Sequence, residues 1–155
     1  MIASNEEETA KIAIKLARSL NDFNVTLCLN GDLGSGKTTF SRYLIKSLLG
    51  KKLDEEIPSP TFTLLQIYES PNVNIHHYDF YRLKRVEELV ELNFSESITG
   101  NICIIEWANK FNEALPSDRI EVNFEIKSKN KRLIRFDLIG LFNNKNFLWT
   151  QEKNF

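Results

Sequence analysis

Cysteine is scarce in this chain: two in 155 residues. Cys28 and Cys103 each sit inside a short apolar run, Val25-Thr26-Leu27-Cys28-Leu29 and Ile102-Cys103-Ile104-Ile105. There a thiol behaves as a small buried hydrophobe, and in an intracellular protein such a pair is reduced. A zinc site needs more ligands at closer spacing. No apolar run approaches the roughly 18 residues of a membrane span. The stretch from Met1 to Thr9 carries three consecutive glutamates and no basic-then-apolar pattern, so no signal peptide is read there and a cytoplasmic protein is expected. Charge of one sign is also missing, with a net of −1. A protein that grips nucleic acid alone shows a basic face. Here the densest basic cluster, Lys127, Lys129, Lys131, Arg132 and Arg135, reads as a solvated turn between two strands. Tight, direct binding of RNA or DNA is disfavoured.

What is present is ordinary for a folded domain: 42% hydrophobic and 26% charged residues. The length suits one core, and no repeat, low-complexity tract or linker interrupts it, so residues 1–155 are read as a single domain. Ser4 and Glu7 read as a capping box, and Ile12, Ala13, Leu16, Ala17 and Leu20 recur at helical spacing, predicting a helix over Glu6 to Asn21. Val25 to Leu29 and Ile102 to Ile105 look like central parallel strands covered on both faces. A helix is predicted over Lys37 to Leu49, ended by Gly50. Strands are predicted over Thr61 to Tyr68 and Val73 to Tyr81, and a helix over Lys84 to Asn93. Arg119 to Lys127 and Arg132 to Ile139 alternate as an antiparallel hairpin with one wet side. Residues 143–146 read as a surface turn before a last short segment. The fold class expected is three-layer α/β, its mixed sheet parallel at the centre with an antiparallel extension.

Gly31-Asp32-Leu33-Gly34-Ser35-Gly36-Lys37-Thr38 fills the pattern G-x4-G-K-[ST] completely. An apolar strand precedes it and an amphipathic helix follows, the context in which such a loop binds phosphate. Gly34 and Gly36 let the backbone wrap an anion with its N–H groups. The helix aims its N-terminal dipole at the same point. Lys37 brings positive charge to the terminal phosphates, and Thr38 offers a hydroxyl to magnesium. Gly34, Ser35, Gly36, Lys37, Thr38 and Thr39 are the candidate nucleotide-binding residues, with ATP and Mg2+ the expected ligands.

A P-loop needs an acid at the end of a neighbouring strand on the metal side. Glu106, directly after Ile102-Cys103-Ile104-Ile105, has that form. Asp79, in His77-Tyr78-Asp79-Phe80-Tyr81-Arg82, is the second candidate, and Arg82 is placed to pair with an acid or a phosphate. Thr61, in Pro58-Ser59-Pro60-Thr61-Phe62, has the form of a switch residue that places the attacking water. The candidate catalytic set is therefore Lys37, Glu106, Asp79 and Thr61, and the candidate metal set is Thr38, Glu106 and Asp79.

These segments together resemble the TsaE-type ATPases of bacterial tRNA threonylcarbamoyladenosine biosynthesis. The resemblance rests on the P-loop with Thr39-Phe40, on Ser59-Pro60-Thr61-Phe62, on His77-Tyr78-Asp79-Phe80-Tyr81-Arg82-Leu83, on Ile105-Glu106-Trp107 and on Leu115-Pro116-Ser117-Asp118-Arg119, in the family order. Glu8-Thr9 fits too, and the likeness spans about Glu6 to Arg135. It implies slow ATP hydrolysis by the chain alone and work with two partner proteins, TsaB and TsaD, which attach a threonylcarbamoyl group to adenosine beside the tRNA anticodon. TsaD would carry out the transfer, the ATP cycle would support turnover of the complex, and tRNA would be met only through it. The resemblance gives Lys37 and Thr38 the usual P-loop roles, Glu106 and Asp79 the metal side and Thr61 part of a switch loop. It puts Trp107 near a partner-facing side. Ala108-Asn109 stands where the family often has Pro then Glu, and Ser35 where alanine is common.

Three rival readings differ in class. A GTPase would read guanine through N-K-x-D, but Asn109-Lys110-Phe111-Asn112 ends in an amide, and the D-x-x-G at Asp137 to Gly140 lies at the wrong end of the chain. A small-molecule kinase would need an arginine-rich lid, whereas Lys84 to Gly100 is acidic and helical. A nucleotide-dependent interaction module with negligible turnover is the third, separated from an ATPase by steady-state assays.

Overall fold

The structure, a computed structural model, describes residues 1–20 and 24–140. Asn21, at the end of the first predicted helix, lies outside the described residues, as do the turn at 143–146 and the final segment.

Among the described residues, seven strands form one mixed sheet: β1 (Ile2–Ala3), β2 (Thr26–Asn30), β3 (Leu65–Glu69), β4 (Asn74–Asp79), β5 (Ile102–Glu106), β6 (Arg119–Ile126) and β7 (Arg132–Ile139). Their order is β1-β7-β6-β2-β5-β4-β3. The centre, β6-β2-β5-β4, is parallel throughout, while β3, β7 and β1 add antiparallel edges. The parallel centre and antiparallel extension agree with expectation.

The pleat sends alternate residues to opposite faces. Leu27 and Leu29, Ile102 and Ile104, and Ile120, Val122 and Phe124 face the layer built by α1 (Glu6–Leu20) and α2 (Lys37–Leu48). Cys28, Cys103, Ile105 and Tyr78 face the other way, under Leu89, Phe94 and Phe111 from short helical pieces. Those pieces are α3 (Glu88–Glu91), α4 (Phe94–Ser97) and a 3-10 helix over Ala108–Ala114. The result is three layers with two separate cores.

Several local expectations shift. Helix α1 starts at Glu6, so its N-cap is Asn5: the Asn5 side chain accepts the Glu8 N–H at 2.9 Å, and the Glu8 carboxylate accepts the Ser4 N–H at 2.6 Å. The reciprocal cap therefore uses Asn5 and Glu8, not Ser4 and Glu7, and Glu7 instead pairs with Lys11 at 2.8 Å. Helix α2 ends as expected, with Gly50 at φ 63° and the Lys51 N–H on the Lys46 carbonyl at 2.9 Å.

The strand predicted from Thr61 begins only at Leu65. Leu64 sits at φ 67° and its N–H closes a turn onto the Pro60 carbonyl at 2.7 Å, which leaves Thr61 on that turn. The helix predicted over Lys84 to Asn93 shrinks to Glu88–Glu91. The Glu88 carboxylate takes the Lys84 and Arg85 N–H groups, and Asn93 breaks the chain at φ 51°. Phe94 then turns inward to pack edge-on against Tyr78 and Phe80 at 5.3 and 5.5 Å, while Val90 is exposed.

Candidate active site

Strands β2, β5 and β4 run parallel and end together, which puts the loop after β2, Glu106 and Asp79 at one edge of the sheet. Asp79 and Glu106 are register partners on adjacent strands. The loop leads straight into α2, whose N-cap, Gly36, lies at φ 104° with no side chain capping the helix. The first N–H groups of a helix have no carbonyl of their own helix to bind, so they are open to an anion. They border a pocket of about 260 Å³ lined by Gly34, Gly36, Lys37, Thr38, Thr39, Thr61, Asp79 and Glu106, together with Leu33, Tyr81 and Trp107. Every sequence-predicted site residue but one lines it. Ser35 is the exception: it is buried beneath the loop, its N–H on the Asp32 carbonyl and its Oγ accepting from Lys37 Nζ at 3.4 Å.

Lys37 is buried and folded back on its own loop. Its Nζ donates to the carbonyls of Gly31 at 2.7 Å and Asp32 at 2.9 Å, and sits 4.0 Å from the centre of the Trp107 ring. Burial lowers the ammonium's pKa, against the opposing pull of Glu106, Asp79 and Asp32. Trp107 holds a left-handed backbone at φ 58°, with its ring against Tyr81 at 4.9 Å.

Glu106 is buried and meets three donors. Oε2 accepts from Thr38 Oγ1 at 2.6 Å, while Oε1 accepts from Ser41 Oγ and pairs with His77 Nε2, both at 2.9 Å. Burial pushes its pKa up, but the His77, Thr38 and Ser41 hydrogen bonds together outweigh that and hold the carboxyl below its ordinary value. Asp79 goes the other way. Burial raises its pKa and the neighbouring Glu106 adds to the rise, against the Tyr81 N–H on Oδ1 at 2.9 Å and Thr61 Oγ1 on Oδ2 at 3.1 Å. Ser59 in turn bonds Thr61 at 2.9 Å. Arg82 lies over the exposed ring of Phe62, 5.1 Å from its centre, and not against an acid among the described residues.

His77 and Ser41 escaped the sequence reading, although both carried a signal. Ser41 is one helical turn after Thr38, and His77 is two strand residues before Asp79, each spacing that of a shared face. The stretch that resembles a guanine-reading motif lies on the 3-10 helix, kinked at Phe111. There Lys110 Nζ donates to the Tyr81 carbonyl at 2.6 Å, and the Asn109 N–H to Asn30 Oδ1 at 2.9 Å. The basic hairpin turn reaches the P-loop through Arg132, which donates to the Gly34 carbonyl at 3.2 Å.

Among the described residues no cluster of three His, Cys, Asp or Glu could hold a metal ion. The oxygens of Thr38, Glu106 and Asp79 fit a hard cation that keeps several waters, as magnesium does. Because Thr38 spends its hydrogen on Glu106, its lone pairs are left for such an ion. No helix among the described residues is long and apolar enough to cross a membrane.

A family profile, "Threonylcarbamoyl adenosine biosynthesis protein TsaE", matches residues 3–134. The chain belongs to the TsaE family. Among its TsaE relatives, the tRNA threonylcarbamoyladenosine biosynthesis protein TsaE of Rickettsia felis is 50% identical over 86% of this chain and 76% of its own length. The TsaE of Bacillus subtilis is 34% identical over 88% and 83%. The crystal structure of Bacillus subtilis YdiB superposes with a TM-score of 0.69 at 30% identity, covering 90% of this chain and 84% of that one. The TsaE profile spans every residue of the pocket just described.

Proposed function

We propose that this chain is a magnesium-dependent ATPase that works in the cytoplasm in threonylcarbamoyladenosine modification of tRNA, hydrolysing ATP slowly alone and acting on a complex of TsaB- and TsaD-type proteins. The observation that carries the proposal is the hydrogen bond from Thr38 to Glu106 at 2.6 Å, which joins the phosphate loop to the acid ending β5. The family and the tRNA-modifying relatives supply the biological setting. The two free, buried cysteines suit a reducing compartment.

The pocket is smaller than the roughly 300–1,000 Å³ of drug-sized ligands, which suits a triphosphate tail with the base outside. The opening N–H groups of α2 would hold the phosphates. Lys37 would exchange the Gly31 and Asp32 carbonyls for phosphate oxygens, a swap of acceptors that leaves its charge satisfied. Magnesium, when bound, would neutralise developing charge, held by Thr38 and, directly or through water, by Glu106 and Asp79. Glu106 already accepts three hydrogen bonds, so it is poorly placed as a proton acceptor and well placed as a support for Thr38. Asp79 and Thr61 face the pocket together and would orient the attacking water for in-line displacement at the γ-phosphate.

The test is calorimetric titration with ATP and GTP, each with magnesium, followed by steady-state ATPase assays with and without TsaB and TsaD. We expect heat with ATP in preference to GTP and a rate that the partners change. Silence in the titration would end the nucleotide reading, and partners without effect on rate or binding would end the biosynthetic one.

A further inference from the structure

Strand register brings a residue with no assigned role against the acid that ends β5. Ile75, His77 and Asp79 point to the same face of β4, where the parallel register pairs His77 with Ile104 and Asp79 with Glu106. His77 is thus the diagonal neighbour of Glu106 beneath α2, fully buried, with Nε2 2.9 Å from Oε1. An ionised carboxylate only accepts hydrogen bonds, so the ring nitrogen facing it must carry hydrogen. The other nitrogen, Nδ1, is buried and has no hydrogen-bond partner among the described residues. A hydrogen there would meet no acceptor, at the full cost of an unpaired buried donor.

We propose that His77 is a positioning residue: as the Nε2–H tautomer it donates to Oε1 of Glu106 and turns the carboxylate so that Oε2 receives Thr38. Ser41 donates to the same Oε1 from α2, so the two donors clamp one oxygen and leave the other for the P-loop threonine. Without His77 the carboxylate keeps its charge but loses one of the two contacts that set its rotation. Thr38 is then no longer held with its lone pairs toward the pocket. The consequence for catalysis rests on the ATP–magnesium reading of the site; the tautomer does not.

The chain has two histidines, His76 and His77, so 15N-histidine labelling gives two ring systems to assign. Long-range 1H–15N correlation should show His77 with a protonated Nε2 and a bare Nδ1. A protonated Nδ1 would overturn the proposal, whether alone or with Nε2. Function is read with His77→Gln, His77→Asn and His77→Phe. The Gln amide nitrogen lies about where Nε2 was, and the Asn amide falls short. We expect His77→Phe and His77→Asn to lower kcat about ten- to hundredfold and raise the magnesium concentration for half-activity, as loss of an outer hydrogen-bond partner does. ATP affinity without magnesium should hold, and His77→Gln should recover most of the loss. Gln and Asn variants with equal kcat and magnesium dependence would refute the proposal, and because both are polar this pair decides even where the Phe variant fails to fold. Failure of the ATPase reading looks different: the wild-type chain gives no heat with ATP while its ring nitrogens remain measurable.

Discussion

The ammonium of Lys37 lies 4.0 Å from the centre of the Trp107 ring and donates to two carbonyls of its own loop. A ligand phosphate must therefore compete with contacts the lysine already makes. Lys37→Met keeps the stem against Trp107 and removes the charge together with the hydrogen bonds to Gly31 and Asp32. Calorimetry should show ATP affinity falling at least tenfold, with thermal stability within about 1 kcal/mol of wild type, since the two loop carbonyls lose their donor while a buried ammonium no longer has to be satisfied. Unchanged ATP affinity would remove Lys37 from the site.

Glu106 and Thr38 should behave as one unit. Glu106→Gln keeps the shape and removes the charge. It should lower kcat about a hundredfold or more while changing ATP binding much less, the range in which positioned charged groups act. Thr38→Val should lower kcat similarly, and the double variant should lose no more than the worse single one. Additive losses in a double-mutant cycle would mean that the 2.6 Å contact is not what links them.

The two carboxylates titrate in opposite directions, and stability should follow. Asp79's pKa is raised by burial, so the native state holds its proton more tightly than the unfolded chain. Its contribution turns unfavourable as pH climbs from the ordinary aspartate value through the raised one, and stays so at neutral pH. Asp79→Asn should raise Tm at pH 7 by about 2–4 °C, the equivalent of roughly 1 kcal/mol in a chain of this size. The gain should vanish in acid and turnover should be lost. Glu106 is depressed, so its contribution is present above the ordinary glutamate value and fades as pH falls through the lower folded one. Thermal melts from pH 3 to 8 with both variants check the two signs, and a Tm gain for Asp79→Asn that persisted undiminished in acid would contradict them.

Two glycines with positive φ should respond differently to alanine. At Gly31, φ 149°, an added Cβ would stand 2.6 Å from the Phe124 carbonyl oxygen and 2.7 Å from Ser35 Oγ. Gly31→Ala should cost about 2–3 kcal/mol in urea unfolding and weaken ATP binding, because backbone must move beside the phosphate loop. At Gly50, φ 63°, the added Cβ meets none of the described residues within 4 Å. Gly50→Ala should cost about 1 kcal/mol from the left-handed backbone alone and leave ATP binding intact. Equal costs at the two positions would mean that the contact with Phe124 does not matter.

The phosphate loop was legible in the sequence because its chemistry is local: glycines, lysine and threonine within eight residues, between an apolar strand and an amphipathic helix. The central strands were legible for a related reason, since burial on both faces leaves an unbroken apolar run such as Ile102 to Ile105. Glu106 and Asp79 stood out as acids at the ends of apolar or aromatic strands. The ends of elements were less legible. The capping box moved by one residue, and the helix after Arg85 broke at Asn93, because side-chain hydrogen bonds of Glu8 and Glu88 and the inward turn of Phe94 decide them. What only the tertiary structure determined is which strands lie side by side, and hence which residues meet. The parallel register of β4 on β5 sets His77 against Glu106 and Asp79 beside it, and the packing of α2 adds Ser41 and Thr38. Nothing in the spacing of residues 41, 77 and 106 along the chain announces that meeting, because hydrogen bonds act over about 3 Å of space and are blind to the number of residues between.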